Sequence, residues 1–372
     1  MNHTTSIGAL KRTSMVAGLL RARYNSPRFL LNMHRLRALA ILCIVTIHCT
    51  YSFNWTRHLA LESFFNDLLD NSTILFVFIS GFLFQHVNRS FDFGKYLGVK
   101  IRNVVMPYLI AAMPAIIYAL VAGDLAKKYP ELGGHTAFYE SGWLLINGGA
   151  HLNYALWFMP VIFLYYLLAP MFRLFVAQPR LYGLLLVLIP LSIIEHRPTY
   201  EHGHNLALAL YFLPVYLLGM CVGQYRQRCD AFIEKYLNAI AVVYLAFLFG
   251  HFLLSSHHGK YTVDQLMASR ENLIDWLFIQ QILMSFTLYG LVKKLDRFEL
   301  PWLDFLAETS FTVYFVHLYI LAGLRHLTHY RVITGNVSSV LGLLLVTVVL
   351  SCVVAAAVRT TFGRYSRSIL GS

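Results

Sequence analysis

Charge is what this sequence has least of. Asp, Glu, Lys and Arg make up 13% of the 372 residues, where a soluble domain carries about a quarter. The hydrophobic share is 58% and the mean hydropathy +0.58. An ordinary soluble core cannot absorb that much apolar surface, whereas lipid can. Cysteine is sparse too. Cys43, Cys49, Cys221, Cys229 and Cys352 match neither a disulfide framework nor a zinc site by spacing, and most sit in or near apolar runs. They read as small apolar side chains, and no metal site is expected. Internal repeats, low-complexity tracts and an appended soluble domain are all missing. So is a secretory leader, because MVAGLL near the N-terminus is too short and no small-residue cleavage site follows it.

What the chain has in quantity is long apolar runs. Crossing a bilayer takes about 20 apolar residues, and ten candidates lie at 37–55, 70–88, 104–122, 154–174, 181–195, 206–224, 237–255, 273–292, 303–324 and 337–358. The fifth is short and the eighth carries Gln280 and Gln281, so these two are the weakest. The expected fold is an all-α polytopic bundle of about ten transmembrane helices.

The formal net charge is +12. On a soluble surface that would favour nucleic acid. Here the cations lie in loops between apolar runs, and no nucleic-acid partner is expected. With the N-terminus inside, 22 of the 30 Lys and Arg residues fall in inside segments and 8 outside. Lys and Arg favour the cytoplasmic side, so both termini are expected there. Residues 1–33 form a basic lead, more simply disordered than a peripheral amphipathic helix. Met33 opens MHRLRALAIL and is a second candidate start.

The first span begins RLRALAILCIVTIH, Arg35 to His48. Arg37 and His48 are eleven apart, which at about 100° per residue is three turns plus roughly 20°, with an axial separation of about 16 Å. They share one helix face, with Arg37 at the cytoplasmic interface and His48 expected near mid-membrane. An ionisable residue inside a membrane is costly to keep and is a functional hypothesis by default. The plainer alternative is a neutral ring bonded to a neighbouring helix. Cys49 points about 100° away from His48, which makes a cysteine–histidine pair improbable.

Further runs matter as an ordered set: LFVFISGFLF, KYLGVKIRNVVMPYLI, ALWFMPVIFLYYLLAP, YFLPVYLLGMCVG and LAETSFTVYFVHLYI. Together with the first span they resemble the type-3 membrane acyltransferase family over about residues 33–358. That family shows Arg, ten residues, then His, matched by Arg37 and His48. It shows a Ser-Gly-Phe, matched at Ser80, and basic residues before a Pro-Tyr, matched by Lys100, Arg102 and Pro107-Tyr108. A Leu-Trp-Phe follows, matched at Trp157, and a late Ser-x-x-x-Tyr-x-x-His, matched by Ser310, Tyr314 and His317. One departure is that Lys100 and Arg102 are two apart, where the family often has two arginines three apart. That puts Lys100's individual role in doubt.

The resemblance implies a transmembrane acyltransferase domain over 34–358, with 359–372 as a cytoplasmic tail. It also implies a donor, acyl-CoA with acetyl-CoA expected, and no permanently bound cofactor. The acceptor is a glycan or lipid-linked sugar hydroxyl, and the setting is a bacterial inner membrane. His48 is then the base, since acyl transfer from a thioester to a hydroxyl needs one and histidine titrates near neutrality. Arg37, Arg35, Lys100 and Arg102 are the candidates for holding the donor's phosphates, against ordinary positive-inside charge. Trp157, Tyr314 and His317 are further candidates. For Trp157 the common explanation is interfacial anchoring, and Tyr314 and His317 could simply satisfy each other. Ser80 lacks an activating context and suits helix packing. The outer segment EHRPTYEHGH, Glu195 to His204, reads as a solvated loop rather than a metal site. A multispan transporter, in which Arg37 and His48 bind an anion or relay protons, is the rival function, and a non-catalytic scaffold is a weaker one.

Overall fold

The computed structural model describes residues 30–87, 91–123, 129, 132–147, 153–199, 205–264, 266, 273–328 and 333–371. Most of the basic lead lies outside them. The described chain is helical throughout: α1 Leu31–Thr50, α2 Leu59–Leu69, α3 Thr73–Val87, α4 Phe93–Lys100, α5 Met106–Ala122, α6 Ala137–Ile146, α7 Phe158–Leu167, α8 Ala169–Ala177, α9 Leu185–Glu195, α10 Asn205–Gln224, α11 Arg226–Leu254, α12 Trp276–Leu295, α13 Pro301–Thr328, α14 Val337–Phe362 and α15 Ser366–Leu370. The other pairing of backbone comprises two isolated bridges, Asn54 with Thr334 and Arg197 with Thr262.

Every one of the ten expected spans is occupied by helix. Among the described residues seven helices are long and apolar enough to cross a membrane, and the bent pair around Leu168 makes an eighth if it is one span. The two segments left over are the ones the sequence marks as weakest. α9 has only 11 residues, and α12 buries Gln280 and Gln281, whose amides donate to the carbonyls of Asp67 (2.5 Å) and Leu68 (3.2 Å). An amide inside a membrane protein is tolerated when another helix end accepts its protons, and here the end of α2 does so.

Between helices in lipid the attraction is close packing rather than hydrophobic transfer, and small residues permit it. α3 and α10 cross on Gly81, Gly219 and Gly223. A Cβ on Gly81 would lie 2.0 Å from the Tyr216 carbonyl oxygen, and one on Gly219 would lie 2.1 Å from that of Phe78. α1 is the central helix, packed against α3, α12, α13 and α14, and Leu36, Ala38, Ala40, Ile41 and Val45 are fully buried. Outer helices carry exposed apolar residues such as Val121, Leu186 and Leu254, as a lipid-facing rim requires.

The first span is expected to run to 55, but α1 ends at Thr50, so His48 stands in its last turn. The chain turns there because Trp55 Nε1 donates back to the Thr50 carbonyl (2.8 Å), and Asn54 is stitched to Ile333 and Gly335 (3.1 and 2.7 Å). The segment expected as a tail, from 359 onward, is packed in the structure. α14 runs on through Phe362, and α15 folds back against α5 and α13. Thr312 Oγ1 donates to the Leu370 carbonyl (2.9 Å), and Gly371 sits so close to Phe311 that a Cβ would lie 2.7 Å from its side chain.

Candidate functional site

His48 is half-buried at the end of α1. Its Nδ1 lies 3.2 Å from the Tyr154 hydroxyl, which a short 3₁₀ turn before α7 delivers. The His317 ring comes from α13, with ring centroids 5.2 Å apart. His317 is fully buried. Its Nδ1 faces the carbonyls of Val313 (3.0 Å) and Tyr314 (2.8 Å), which can only accept, so the ring proton is on Nδ1. Nε2 is left as a buried lone pair with no hydrogen-bond partner. A buried unpaired acceptor is costly, and the two carbonyls hold the ring in one tautomer. Tyr314 and His317 do not satisfy each other, contrary to that simpler reading, because the Tyr314 hydroxyl donates to the Ala155 carbonyl instead.

His48, but not the fully buried His317, opens on a cleft of about 80 Å³ lined also by Tyr51, Asp70, Tyr154, Trp157, Arg197 and Lys260 among others. Trp157 is buried, stacked on Phe212 with centroids 5.8 Å apart, and the Arg197 guanidinium lies 4.8 Å from its ring centroid. It is a wall of the cleft, not an interfacial anchor. Residues 196–198 are buried as well, so this part of EHRPTYEHGH is not a solvated loop, while residues 200–204 lie outside the described set. His196 adopts φ +63°, a conformation that costs a non-glycine residue energy. Arg197 N then donates to the Tyr261 carbonyl (3.0 Å) and Val263 N to the Arg197 carbonyl (3.2 Å).

Lys260 reaches the same cleft from a tightly held turn. The fully buried Asp67 takes His258 Nδ1 (2.7 Å) and Gly259 N (2.8 Å), and Asp70 accepts from Lys260 N (3.1 Å) and from the Tyr51 hydroxyl (2.5 Å). Gly259 has φ +84°, and a Cβ there would lie 2.7 Å from Asp70 Oδ2, so the turn requires glycine. Arg197, Lys260, Asp70 and Tyr154 are absent from the sequence candidates. Their one sequence signal is that Arg197 and Lys260 are two of the eight cations on the side where cations are few.

The opposite end of α1 holds the expected donor cations, and they differ in kind. Arg35 is 2% exposed, and its guanidinium is occupied. Nε and Nη2 grip Asp304 (2.8 and 3.2 Å), Nη2 also donates to the Phe298 carbonyl (2.8 Å), and Nη1 donates to that of Leu295. It is therefore a buried clamp joining α1 to the α12–α13 turn, its donors engaged within the protein. Asp296 stands 3.9 Å from it, with its carboxyl pushed up to about 6 by burial against the pull of Arg35 and Lys293. Arg37 is half-buried, and its Nε and Nη2 donate to the Ala307 carbonyl (3.1 and 2.7 Å). Lys100 Nζ lies 4.6 Å from the Tyr166 ring centroid, and Arg102 is exposed on a π-helical turn, Ile101–Val105. Such turns recur at functional sites.

Between the two ends a cavity of about 30 Å³ is lined by Ser80, Tyr166, Ser310, Phe311 and Tyr314 among others, room for a water or two. Tyr166 touches Lys100 on one side, and Tyr314 lies beside His317 on the other. Among the described residues no three His, Cys, Asp or Glu side chains converge as metal ligands would.

A family model described as an acyltransferase domain, of the type-3 class, matches residues 30–356, which is most of the chain. No curated protein and no solved structure matches it.

Proposed function

Because this chain belongs to the type-3 acyltransferase family, and so is a membrane-embedded transferase of groups other than amino-acyl groups, we propose that it carries an acetyl group from cytoplasmic acetyl-CoA to a hydroxyl of a surface or lipid-linked polysaccharide. The observation that carries this reading is the closeness of the His48 and His317 rings, with His48 at the floor of an open cleft. Arg37 stands on the same helix eleven residues earlier, about 16 Å away along the axis, a separation that suits an extended pantetheine arm. The excess of Lys and Arg around the Arg37 end supports placing that end, and both termini, in the cytoplasm of a bacterium bounded by this inner membrane.

In this reading the His48 Nδ1 proton is donated to the Tyr154 oxygen, which leaves Nε2 to take the acceptor's hydroxyl proton. The resulting oxygen attacks the thioester carbonyl, the carbon–sulfur bond breaks, and the imidazolium returns its proton to the departing thiolate. His317 lies close enough to share the positive charge that His48 acquires. The narrow cavity between Ser80 and Ser310 has to widen for the arm to pass.

Sealed membrane vesicles of both orientations test the function and the sidedness together. Membrane-impermeant radiolabelled acetyl-CoA is expected to form a base-labile ester when added to inside-out vesicles and none when added to right-side-out ones. The reverse pattern would overturn the orientation. Sugar export with no ester in either orientation would identify a transporter instead.

Arg37 is the donor handle that remains once Arg35 is committed to Asp304. Arg37→Ala is expected to raise the acetyl-CoA requirement roughly thirtyfold, since a charge-assisted contact to phosphate is worth about 2 kcal/mol. Arg37→Lys recovers only part, lacking the planar fork. Equal acetyl-CoA binding by purified Arg37→Ala and parent would remove the handle.

A further inference from the structure

The cleft over His48 contains two cations that proton transfer does not use. Arg197 is 6% exposed, and its Nε has no hydrogen-bond partner. Among the described residues no carboxylate pairs with its guanidinium. Two acids of this region already accept other hydrogen bonds. Asp70 accepts from Tyr51 and Lys260 N, and Asp275 accepts from the Tyr211 hydroxyl (2.8 Å) and Phe278 N (2.8 Å). A buried guanidinium with an unsatisfied N–H is expensive to keep, and its planar fork of donors suits a planar or tetrahedral anion. Lys260 lines the same cleft with its ammonium 5.8 Å from the Tyr51 ring centroid. The backbone of each is held in place: that of Arg197 by its bridge to Thr262, that of Lys260 by the turn that Asp67 and Asp70 hold. Two separate loops are stitched together there to bring two cations over one histidine.

We propose that Arg197 and Lys260 bind an anionic substituent of the acceptor, a phosphate or a carboxylate on the sugar unit being acylated, so that its hydroxyl is presented to His48. This rests on the acyl-transfer reading and adds the acceptor's chemical class to it. A neutral sugar would be held by hydroxyl and amide groups and would leave the Arg197 guanidinium idle. The donor's phosphates are not the occupant, because the donor cations stand at the other end of α1, about 16 Å away.

The test uses the purified full-length protein in detergent, with glucose 1-phosphate, glucuronate, methyl glucoside and coenzyme A as probes and the thermal unfolding midpoint as readout. At least one of the two anionic sugars is expected to raise the midpoint in a saturable way, and which of them does so separates phosphate from carboxylate. Methyl glucoside is expected to leave it unchanged. Arg197→Ala is expected to bind the effective anion at least about tenfold more weakly, with Arg197→Lys intermediate. Lys260→Gln, which leaves the backbone contacts of the turn intact, provides the same comparison if Arg197→Ala does not fold. Equal effects of neutral and anionic sugars, no effect of either anion, or unchanged anion binding in the variants would overturn the proposal. So would competition of coenzyme A for this site, since that would assign the cations to the donor. His48→Gln keeps the two readings apart. If it binds the anion yet the parent transfers no acyl group, the enzyme reading fails alone. If transfer proceeds and anions do not bind, this inference fails alone.

Discussion

His48→Gln is expected to lower acyl transfer at least about a hundredfold, the usual scale for loss of a general base, with the protein still present in the membrane at its parental level. Glutamine keeps a polar group of similar reach beside the Tyr154 hydroxyl, which lies 3.2 Å from the native ring nitrogen. The packing around α1 is therefore retained while the capacity to take a proton is removed. His317→Ala is expected to lose less in rate and more in protein yield. Its ring is fully buried and its Nδ1 bonds to α13's own carbonyls, so truncation leaves a void in the helix packing. The assay is acyl transfer in reconstituted membranes with protein matched by immunoblot. A near-parental rate for His48→Gln would end its role as base and strengthen the transporter alternative.

Asp304→Ala is expected to destabilise the protein by about 3–5 kcal/mol, the penalty for leaving one member of a buried ion pair behind. The Arg35 guanidinium, 2% exposed, would lose its carboxylate fork and keep only the carbonyls of Leu295 and Phe298 and the more distant Asp296. Replacing both partners, Arg35→Met with Asp304→Ala, is expected to cost clearly less than Asp304→Ala alone, because no uncompensated charge remains. Denaturant unfolding in detergent measures both. The alternative behaviour is also specific: if Arg35→Met left stability unchanged while raising the acetyl-CoA requirement, Arg35 would be a phosphate ligand after all.

Arg35 and Arg37 illustrate where sequence reasoning stops. Two residues apart on a helix differ by about 200° in direction, so one faces the α12–α13 turn and the other the Ala307 carbonyl. Both satisfy the positive-inside pattern, and charge counting cannot tell a clamp from a handle. His48 shows a different limit. Its register with Arg37 follows from helical geometry alone, but its depth depends on where α1 stops. Contacts of Asn54 with residues 333 and 335 accompany that stop.

The sequence by itself determined the membrane character, the ten helical segments and the alignment of Arg37 with His48. Each depends on composition or on the 3.6-residue repeat, and both are local properties. The ordered motifs also carried the family resemblance and singled out His317 as a candidate. Only the tertiary structure decided that the His317 ring stands beside that of His48, that Asp304 consumes Arg35, and that Arg197 and Lys260 line the same cleft. His48, Tyr154, Arg197, Lys260 and His317 come from five separate stretches of chain. Their convergence is set by the packing of α1 on α13 and by backbone bridges between loops, and no periodicity within any one stretch records which distant segment it will meet.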